Sequence, residues 1–329
     1  MSKLILGGMC VETVSIKTIS KTKKRDKLKV LTKRIGESKQ LYMLLFLPLV
    51  WLIVFKYVPM IGAQIAFMDY SPRGGIFNSE WVGLENFIRF FKSPNFTRVI
   101  TNTIIISIYE LVAAFPAPII LALAINSCTK KKLSKIVQTV SYLPHFISTV
   151  VIIGILMQML NPITGLSGNI AELLGKEPVD LMSDPALFKS LFVWSGVWQN
   201  VGWGTIIYLA TIAGVDPSLH EAAMVDGASR FKRIIHIDIP ALIPTAVTLL
   251  IMNTGKIMSV GFEKAYLMQN TLNLQSSEII STFVYKTGLT GGGDFSYSAA
   301  IGLFNSLINL ILIISVNKIA KKFNETSLW

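Results

Sequence analysis

Charged residues are scarce in this sequence. Asp, Glu, Lys and Arg make up 15% of its 329 residues, whereas apolar residues make up 52% and the mean hydropathy is +0.56. The apolar residues collect in long runs, and about 18 or more in succession are long enough to cross the hydrocarbon core of a bilayer. The scarcity of charge therefore argues against a pair of soluble domains and predicts an integral membrane protein.

Cysteine and histidine are also rare. The two cysteines, Cys10 and Cys128, are too few for a disulfide framework, and we expect both to be free thiols on the reducing side of the membrane. No apolar segment long enough for a lipoprotein signal precedes Cys10, and no cleavable signal peptide is expected. The histidines, His145, His220 and His236, have no metal-ligand spacing, so the sequence predicts no metal site.

Signatures of catalysis are missing as well. The sequence has no Gly-x-x-x-x-Gly-Lys-Ser/Thr cradle for nucleotide phosphates, so we expect ATP hydrolysis to occur on another chain. Asp294 follows a Gly-x-Gly pattern, but no second aspartate within an apolar run could pair with it for acid–base chemistry. An intramembrane enzyme is therefore a weak alternative, and the sequence predicts no catalytic residues.

Six apolar runs predict an all-α fold of six transmembrane helices. They cover 41–60, 102–126, 139–160, 187–212, 241–260 and 296–316. A basic arm over 1–40 precedes the six-span domain, which covers 41–318, and a short tail covers 319–329. The aromatic stretch 81–96 is expected either to lie on the membrane surface or to form a lid that packs on other spans.

Basic residues alternate in number from one connection to the next. Of the 31 Lys and Arg residues, 21 lie in alternate segments of the chain. These segments are the two termini and the connections around 130–135 and 230–233. Because Lys and Arg are enriched on the cytoplasmic side of membranes, this pattern predicts that both termini are cytoplasmic. The net positive charge is therefore explained by membrane topology, and it is compatible with contact to anionic membrane lipid. Because topology explains the charge, nucleic acid is not an expected partner.

The connection between the fourth and fifth spans, 215–240, has the features of a short capped helix. Asp216 suits a helix N-cap and Pro217 the first helical position, which predicts a helix over 218–226 of roughly 13 Å. Gly227 can adopt positive φ and turn the chain, and Pro240 marks the start of the fifth span. The charge pattern puts this connection in the cytoplasm.

Residues of this connection also match a known motif in type and spacing. They are, in order, Glu221, Ala222, Ala223, Gly227, Ile237, Ile239 and Pro240. In this pattern the connection resembles the EAA loop of permeases in ATP-binding-cassette (ABC) importers, with Ile239 in place of the family's leucine. The resemblance implies that the loop forms a coupling helix that docks on an ATPase subunit, and that the motif's Glu, two Ala, Gly and Pro are its coupling residues.

Other local runs narrow the resemblance to type I, MetI-like permeases of the carbohydrate, LplB-like polysaccharide type. They are 55–60, Asn102-Thr103, 142–144 and 198–203. The resemblance implies a multi-pass bundle in the cell membrane with a second, similar permease chain, two ATPase subunits that bind ATP and magnesium, and an extracytoplasmic solute-binding protein. It implies no cofactor on this chain. The implied cargo is a sugar, specifically an oligosaccharide, and a non-sugar solute is the alternative.

Polar and aromatic residues inside the spans are candidates for the substrate pathway, because polar groups are costly in lipid. The candidates are Glu110, Trp198, Gln199, Asn200, Trp203, Asn253 and Lys256. Aromatic rings suit the C–H faces of sugars, and amides suit their hydroxyl groups. Two alternatives stay open: a structural ion pair for Glu110 and Lys256, and helix packing for the tryptophans.

Overall fold

A computed structural model describes residues 38–255 and 257–324. The chain divides into two compact units, Met1–Gly62 and Ala63–Trp329. Lys256 and nearly all of the predicted basic arm lie outside the described residues.

The first unit contains helix α1. It is α-helical over Lys39–Leu52, forms a π-helical turn over Ile53–Tyr57 and is α-helical again over Val58–Met60, before a 3₁₀ segment over Ile61–Phe67. Together these segments give 29 residues, Lys39–Phe67, of an apolarity suited to a membrane span.

The described part of the second unit is helical apart from one small hairpin, in which β1 (Met68–Asp69) pairs antiparallel with β2 (Glu80–Trp81). Its helices are α2 (Glu85–Lys92), α3 (Asn95–Ala114), α4 (Pro116–Ser127), α5 (Lys131–Tyr142), α6 (Thr149–Met159), α7 (Leu166–Leu173), α8 (Pro185–Ala213), α9 (Pro217–Val225), α10 (Arg230–Arg233), α11 (Ile239–Thr254), α12 (Phe262–Met268), α13 (Leu274–Ser277), α14 (Ile280–Tyr285) and α15 (Phe295–Asn324). Shorter turns are the 3₁₀ segment Leu143–Phe146 and the π-helical segments Ile234–Asp238 and Lys286–Thr290.

Four helical segments of the described residues are long and apolar enough to cross a membrane. They are Lys39–Phe67, Asn95–Ser127, Arg230–Thr254 and Phe295–Lys322. A fifth is added if the bent pair α5 and α6 counts as one span. The predicted all-α membrane class is therefore confirmed. The count of six stays a prediction, because α8 has 29 residues but is not among the segments that meet the apolarity criterion.

The third predicted span, 139–160, is wrong as a single helix. The segments Lys131–Phe146 and Thr149–Met159 are bent by 103° relative to one another. Pro144 lies in the 3₁₀ turn Leu143–Phe146 that ends the first segment, and it has no N–H to continue an α-helix. Ser148 then caps α6, because its hydroxyl accepts a hydrogen bond from the Val151 N–H at 3.4 Å.

The fifth predicted span, 241–260, also ends too late, since α11 stops at Thr254. Gly255 follows as the C-cap, and the chain leaves the helix there. Beyond it, the Met258 N–H donates to the side-chain oxygen of Asn309 on α15 at 3.0 Å. This hydrogen bond to a neighbouring helix replaces the one that a continued α11 would have made.

The aromatic stretch 81–96 forms a lid, the second of the two predicted alternatives. Phe90 of α2 is only 1% exposed, and its ring packs edge-on against Phe96 and Phe304 at centroid distances of 5.0 and 5.7 Å. Arg89 of the same helix forms an ion pair with Asp294 at 2.6 Å. These contacts attach α2 to α15.

Helix α8 lies at the centre of the second unit and contacts α3, α4, α5, α11, α12 and α13. Its buried residues Phe188, Phe192 and Val193 belong to the largest apolar core. At Gly202 the backbone of α8 approaches the start of the bend after α5. A Cβ built on Gly202 would lie 2.8 Å from the Tyr142 nitrogen and would overlap the Ser141 carbonyl.

We expect Gly202→Ala to lower the free energy of unfolding by about 1–3 kcal/mol, because the added methyl group overpacks this contact. Gly154→Ala on α6 is the matched control, since nothing lies within 4 Å of its Cβ position, and it should gain about 0.5–1 kcal/mol from helix propensity. Thermal unfolding followed by fluorescence-detected size-exclusion chromatography measures both. Equal shifts for the two variants would contradict the close approach.

Candidate functional site

The helix predicted over 218–226 is present as α9, Pro217–Val225, and its first turn is capped as the sequence indicates. The Asp216 side chain accepts a hydrogen bond from the Ser218 N–H at 2.9 Å, and Pro217 occupies the first helical position. Hydrogen bonds from Ser218 hold the pKa of Asp216 below its ordinary value. The charged cap therefore supports α9 at neutral pH, and this support is lost as the pH falls through that lowered pKa.

The end of α9 explains the spacing between Ala223 and Gly227 in the motif. Gly227 has φ 75°, a conformation that glycine adopts without a steric cost. Its N–H bonds to the Met224 carbonyl at 3.1 Å, and the Ala228 N–H bonds to the Ala223 carbonyl at 2.8 Å. This pair of hydrogen bonds is a Schellman motif, which requires the left-handed residue four positions after the residue whose carbonyl accepts the longer-range bond.

Helix α9 presents an uncovered apolar surface. None of its nine residues is buried, and the side chains of Leu219, Met224 and Val225 are 53%, 51% and 88% exposed. Glu221 and Ala222 of the motif are exposed as well. A short helix capped at both ends, with apolar and acidic groups on its free surface, is suited to docking against another protein.

After Gly227 the chain returns directly into α11. Ser229 caps α10 by accepting a hydrogen bond from the Lys232 N–H at 3.4 Å. The π-helical turn Ile234–Asp238 then continues without a break into α11, where Pro240 is the second residue. Pro240 has no N–H to bond back into this π-helical turn. The motif therefore joins the exposed helix to a long apolar one.

A second candidate site is a cavity of about 280 Å³ between α3 and the end of α11. Two predicted pathway residues, Glu110 and Asn253, line it together with the hydroxyl residues Ser107 and Ser259. A carboxylate, an amide and two hydroxyl groups make the lining able to accept and donate hydrogen bonds. Lys256, the third polar residue predicted here, lies outside the described residues.

The cationic neighbour of Glu110 is Lys264 of α12, a residue that the sequence does not single out. A Cβ built on Gly196 would lie 2.9 Å from Lys264 Nζ and 3.9 Å from Glu110 Oε1, so both charged groups approach the same point on α8. Lys264 Nζ also donates to the Phe192 carbonyl at 2.5 Å and lies 4.7 Å from the Phe192 ring centroid. The early end of α11 brings this lysine inward from a predicted connection.

The remaining pathway candidates on α8 do not share the cavity of Glu110. Trp198 lines an apolar groove against α6. Asn200 Oδ1 lies 3.0 Å from His145 Nδ1, and the Trp203 ring stacks on His145 with a centroid distance of 4.5 Å. Gln199 donates to the Ile147 carbonyl at 3.2 Å. Helical periodicity separates these side chains, and the last three hold the bend between α5 and α6.

Among residues 38–255 and 257–324, no three His, Cys, Asp or Glu side chains lie close enough together to hold a metal ion. Cys128 is a free thiol.

The chain matches one protein family over most of its length. The family described as the inner membrane component of binding-protein-dependent transport systems matches residues 114–325. This range begins at the last residue of α3 and includes the capped helix α9 and the whole of α11 and α15.

Two relatives from Bacillus subtilis (strain 168) match nearly the whole chain. Protein LplB is 42% identical over 295 residues, which cover 90% of this chain and 92% of LplB. The polygalacturonan/rhamnogalacturonan transport system permease protein YteP is 40% identical over 306 residues, which cover 93% of this chain and 95% of YteP.

A solved structure agrees in fold and in sequence. It is a chain of a bacterial alginate ABC transporter in complex with an alginate pentasaccharide-bound periplasmic protein. The TM-score is 0.82 with 35% identity, and the match covers 90% of this chain and 99% of that one. The chain therefore belongs to the inner membrane components of binding-protein-dependent transport systems, a family of ABC transporter permeases that are membrane transport subunits rather than enzymes.

Proposed function

We propose that this protein is the permease subunit of an ABC importer that carries an oligosaccharide, delivered by an extracytoplasmic solute-binding protein. The observation that carries the proposal is the capped, exposed helix α9 on a chain 40% identical to a polygalacturonan/rhamnogalacturonan transport system permease. The alginate transporter, with its saccharide-loaded periplasmic protein, supports the same cargo class. ATP and magnesium bind to two partner ATPase subunits, and a second, similar permease completes the pathway.

In this proposal the exposed surface of α9 docks on an ATPase subunit. The exposed apolar side chains of Leu219 and Val225 supply contact area. Glu221 is exposed but also lines the cavity beneath α9, as Met224 does, and it supplies a charge at the edge of the docking surface for a basic partner residue. This arrangement requires α9 to lie in the cytoplasm, which is the side that the charge pattern predicts, with both termini cytoplasmic and α8 as one of six spans.

The cavity that holds Glu110 and Asn253 is the proposed start of the sugar pathway through this chain. Its carboxylate, amide and hydroxyl groups can bond sugar hydroxyl groups as the pathway opens. Trp198, Gln199, Asn200, Trp203 and Lys256 stay candidates for later contacts. Because three of them also hold the bend after α5, their substitution would change folding as well as transport.

The cargo is tested on the partner binding protein. Isothermal titration calorimetry of the binding protein with a panel of oligosaccharides, amino acids and metal ions should detect binding of an oligosaccharide only. A binding protein that takes an amino acid or a metal ion, and no saccharide, would replace the sugar with a different solute while leaving the permease assignment intact.

We expect Gly227→Val to uncouple transport from ATP hydrolysis. A β-branched residue is strongly disfavoured at positive φ, and the cost of about 1–2 kcal/mol would open the turn that ends α9. Gly227→Asn should keep most of the coupling, because asparagine enters this region more readily. ATPase co-purification and uptake into proteoliposomes measure the effect.

Gly175 is the matched control for this substitution. It has φ 65° and ends α7 with the same pair of hydrogen bonds, from Gly175 to Glu172 and from Lys176 to Ala171. Gly175→Val should therefore cost similar stability without affecting ATPase association. If Gly227→Val behaves like Gly175→Val in both assays, α9 is not the coupling element.

Asn253→Leu should reduce oligosaccharide uptake, since it keeps the side-chain size but removes the amide from the cavity. The loss of one or two hydrogen bonds of about 0.5–1.5 kcal/mol each predicts a reduction of roughly twofold to more than 100-fold. ATPase co-purification should stay at the wild-type level. Unchanged uptake of the saccharide that the binding protein selects would remove this cavity from the pathway.

A further inference from the structure

One side of α9 is turned toward the bundle, and a single ionisable residue on that side meets an acidic partner. Within α9 only His220 and Ala223 are half-buried, and they lie one turn apart on the same face. His220 Nε2 lies 3.3 Å from Asp238 Oδ1. The side chain of His220 is 25% exposed, whereas that of Asp238 is 4% exposed.

Asp238 occupies the position where α11 begins. It is the last residue of the π-helical turn Ile234–Asp238, and Ile239 starts α11. A buried carboxylate costs free energy unless a cationic or hydrogen-bonding group compensates it. Arg233, a cationic side chain that also lines the space around Asp238, and the imidazole of His220 are the groups placed to do so.

The space beneath α9 is otherwise open. A cavity of about 510 Å³ separates α9 from the ends of α4 and α8 and from α10. The turn at Gly227 is also free of packing, since nothing lies within 4 Å of a Cβ built there. A protein that pushes on the outer face of α9 could therefore rotate this helix about its connections without moving α11. Only a further contact that ties α9 to α11 would make α11 follow.

We propose that the His220–Asp238 contact is this tie, a latch through which a displacement of α9 moves α11. The inference rests on the proposed coupling function of α9 and adds two positioning residues to it. The latch lies on the bundle side of α9, and it links the two helices at the middle of α9 rather than through the turn at Gly227. Helix α11 then moves as a rigid body with α9.

The test measures motion of α11 with ATP as the only ligand. Spin labels replace Met252 on α11 and Ile104 on α3, both exposed, in a chain with Cys10→Ser and Cys128→Ser. The complex with its ATPases and second permease is reconstituted in nanodiscs. The distance between the two labels is then measured by double electron–electron resonance, without nucleotide and after trapping with MgATP and vanadate.

We expect trapping to shift the distance when the latch is intact. In His220→Ala and in Asp238→Asn, the ratio of switched to unswitched molecules should fall roughly fivefold or more, the lower limit of typical allosteric coupling, with the ATPases still bound. The double variant should be no worse than either single one, because both remove the same contact. If Asp238→Asn does not fold, the more exposed His220→Ala carries the test.

Thr245→Val is the matched control. It removes the 3.2 Å contact between Thr245 and Thr211, which joins α11 to α8 without involving α9, and it should leave the shift unchanged. A full shift in both latch variants, or effects that multiply in the double variant, overturns the latch. If the unsubstituted chain binds no ATPase, the proposed function itself fails instead.

Discussion

The bundle is organised by the close approach of α8 to the backbone at the start of the bend between α5 and α6. Gly202 leaves no space for a side chain beside Ser141, so the two backbones come together at that point. The same helix carries the Phe192 carbonyl that accepts from Lys264 and the Trp203 ring that stacks on His145. The position of the cavity between α3 and α11 follows from these contacts, because α8 packs against both helices.

Helix α11 joins the two candidate sites. It begins immediately after Asp238, which meets His220 of α9, and its last turn carries Asn253, which lines the cavity with Glu110. Its 16 residues span about 24 Å at the rise of an α-helix. A displacement of α9 transmitted at Asp238 would therefore reach the cavity along a single rigid element, without any chain of intermediate side chains. This geometry gives a physical route from the proposed docking surface on α9 to the proposed substrate pathway.

Much of the fold and of the coupling loop could be predicted because it depends on local chemistry. Long apolar runs indicated the helices that are suited to lipid, and Asp216, Pro217 and Gly227 indicated both ends of α9. The third span bends by 103°, a local break that hydropathy does not record. Prediction was also less successful where a neighbouring helix intervenes: α11 ends at Thr254, and the backbone that follows bonds to Asn309 on another helix.

The sequence by itself determined the membrane class, the capped helix and its family motif, because these features arise from residues within a few positions of one another. Only the tertiary structure decided which polar side chains meet. Glu110 and Asn253 are separated by more than 140 positions yet line one cavity, while Asn200 and Trp203, predicted beside them, face the bend instead. Lys264 and the His220–Asp238 contact became visible for the same reason: the packing of α8, α9 and α11 places distant residues within a few ångströms of each other.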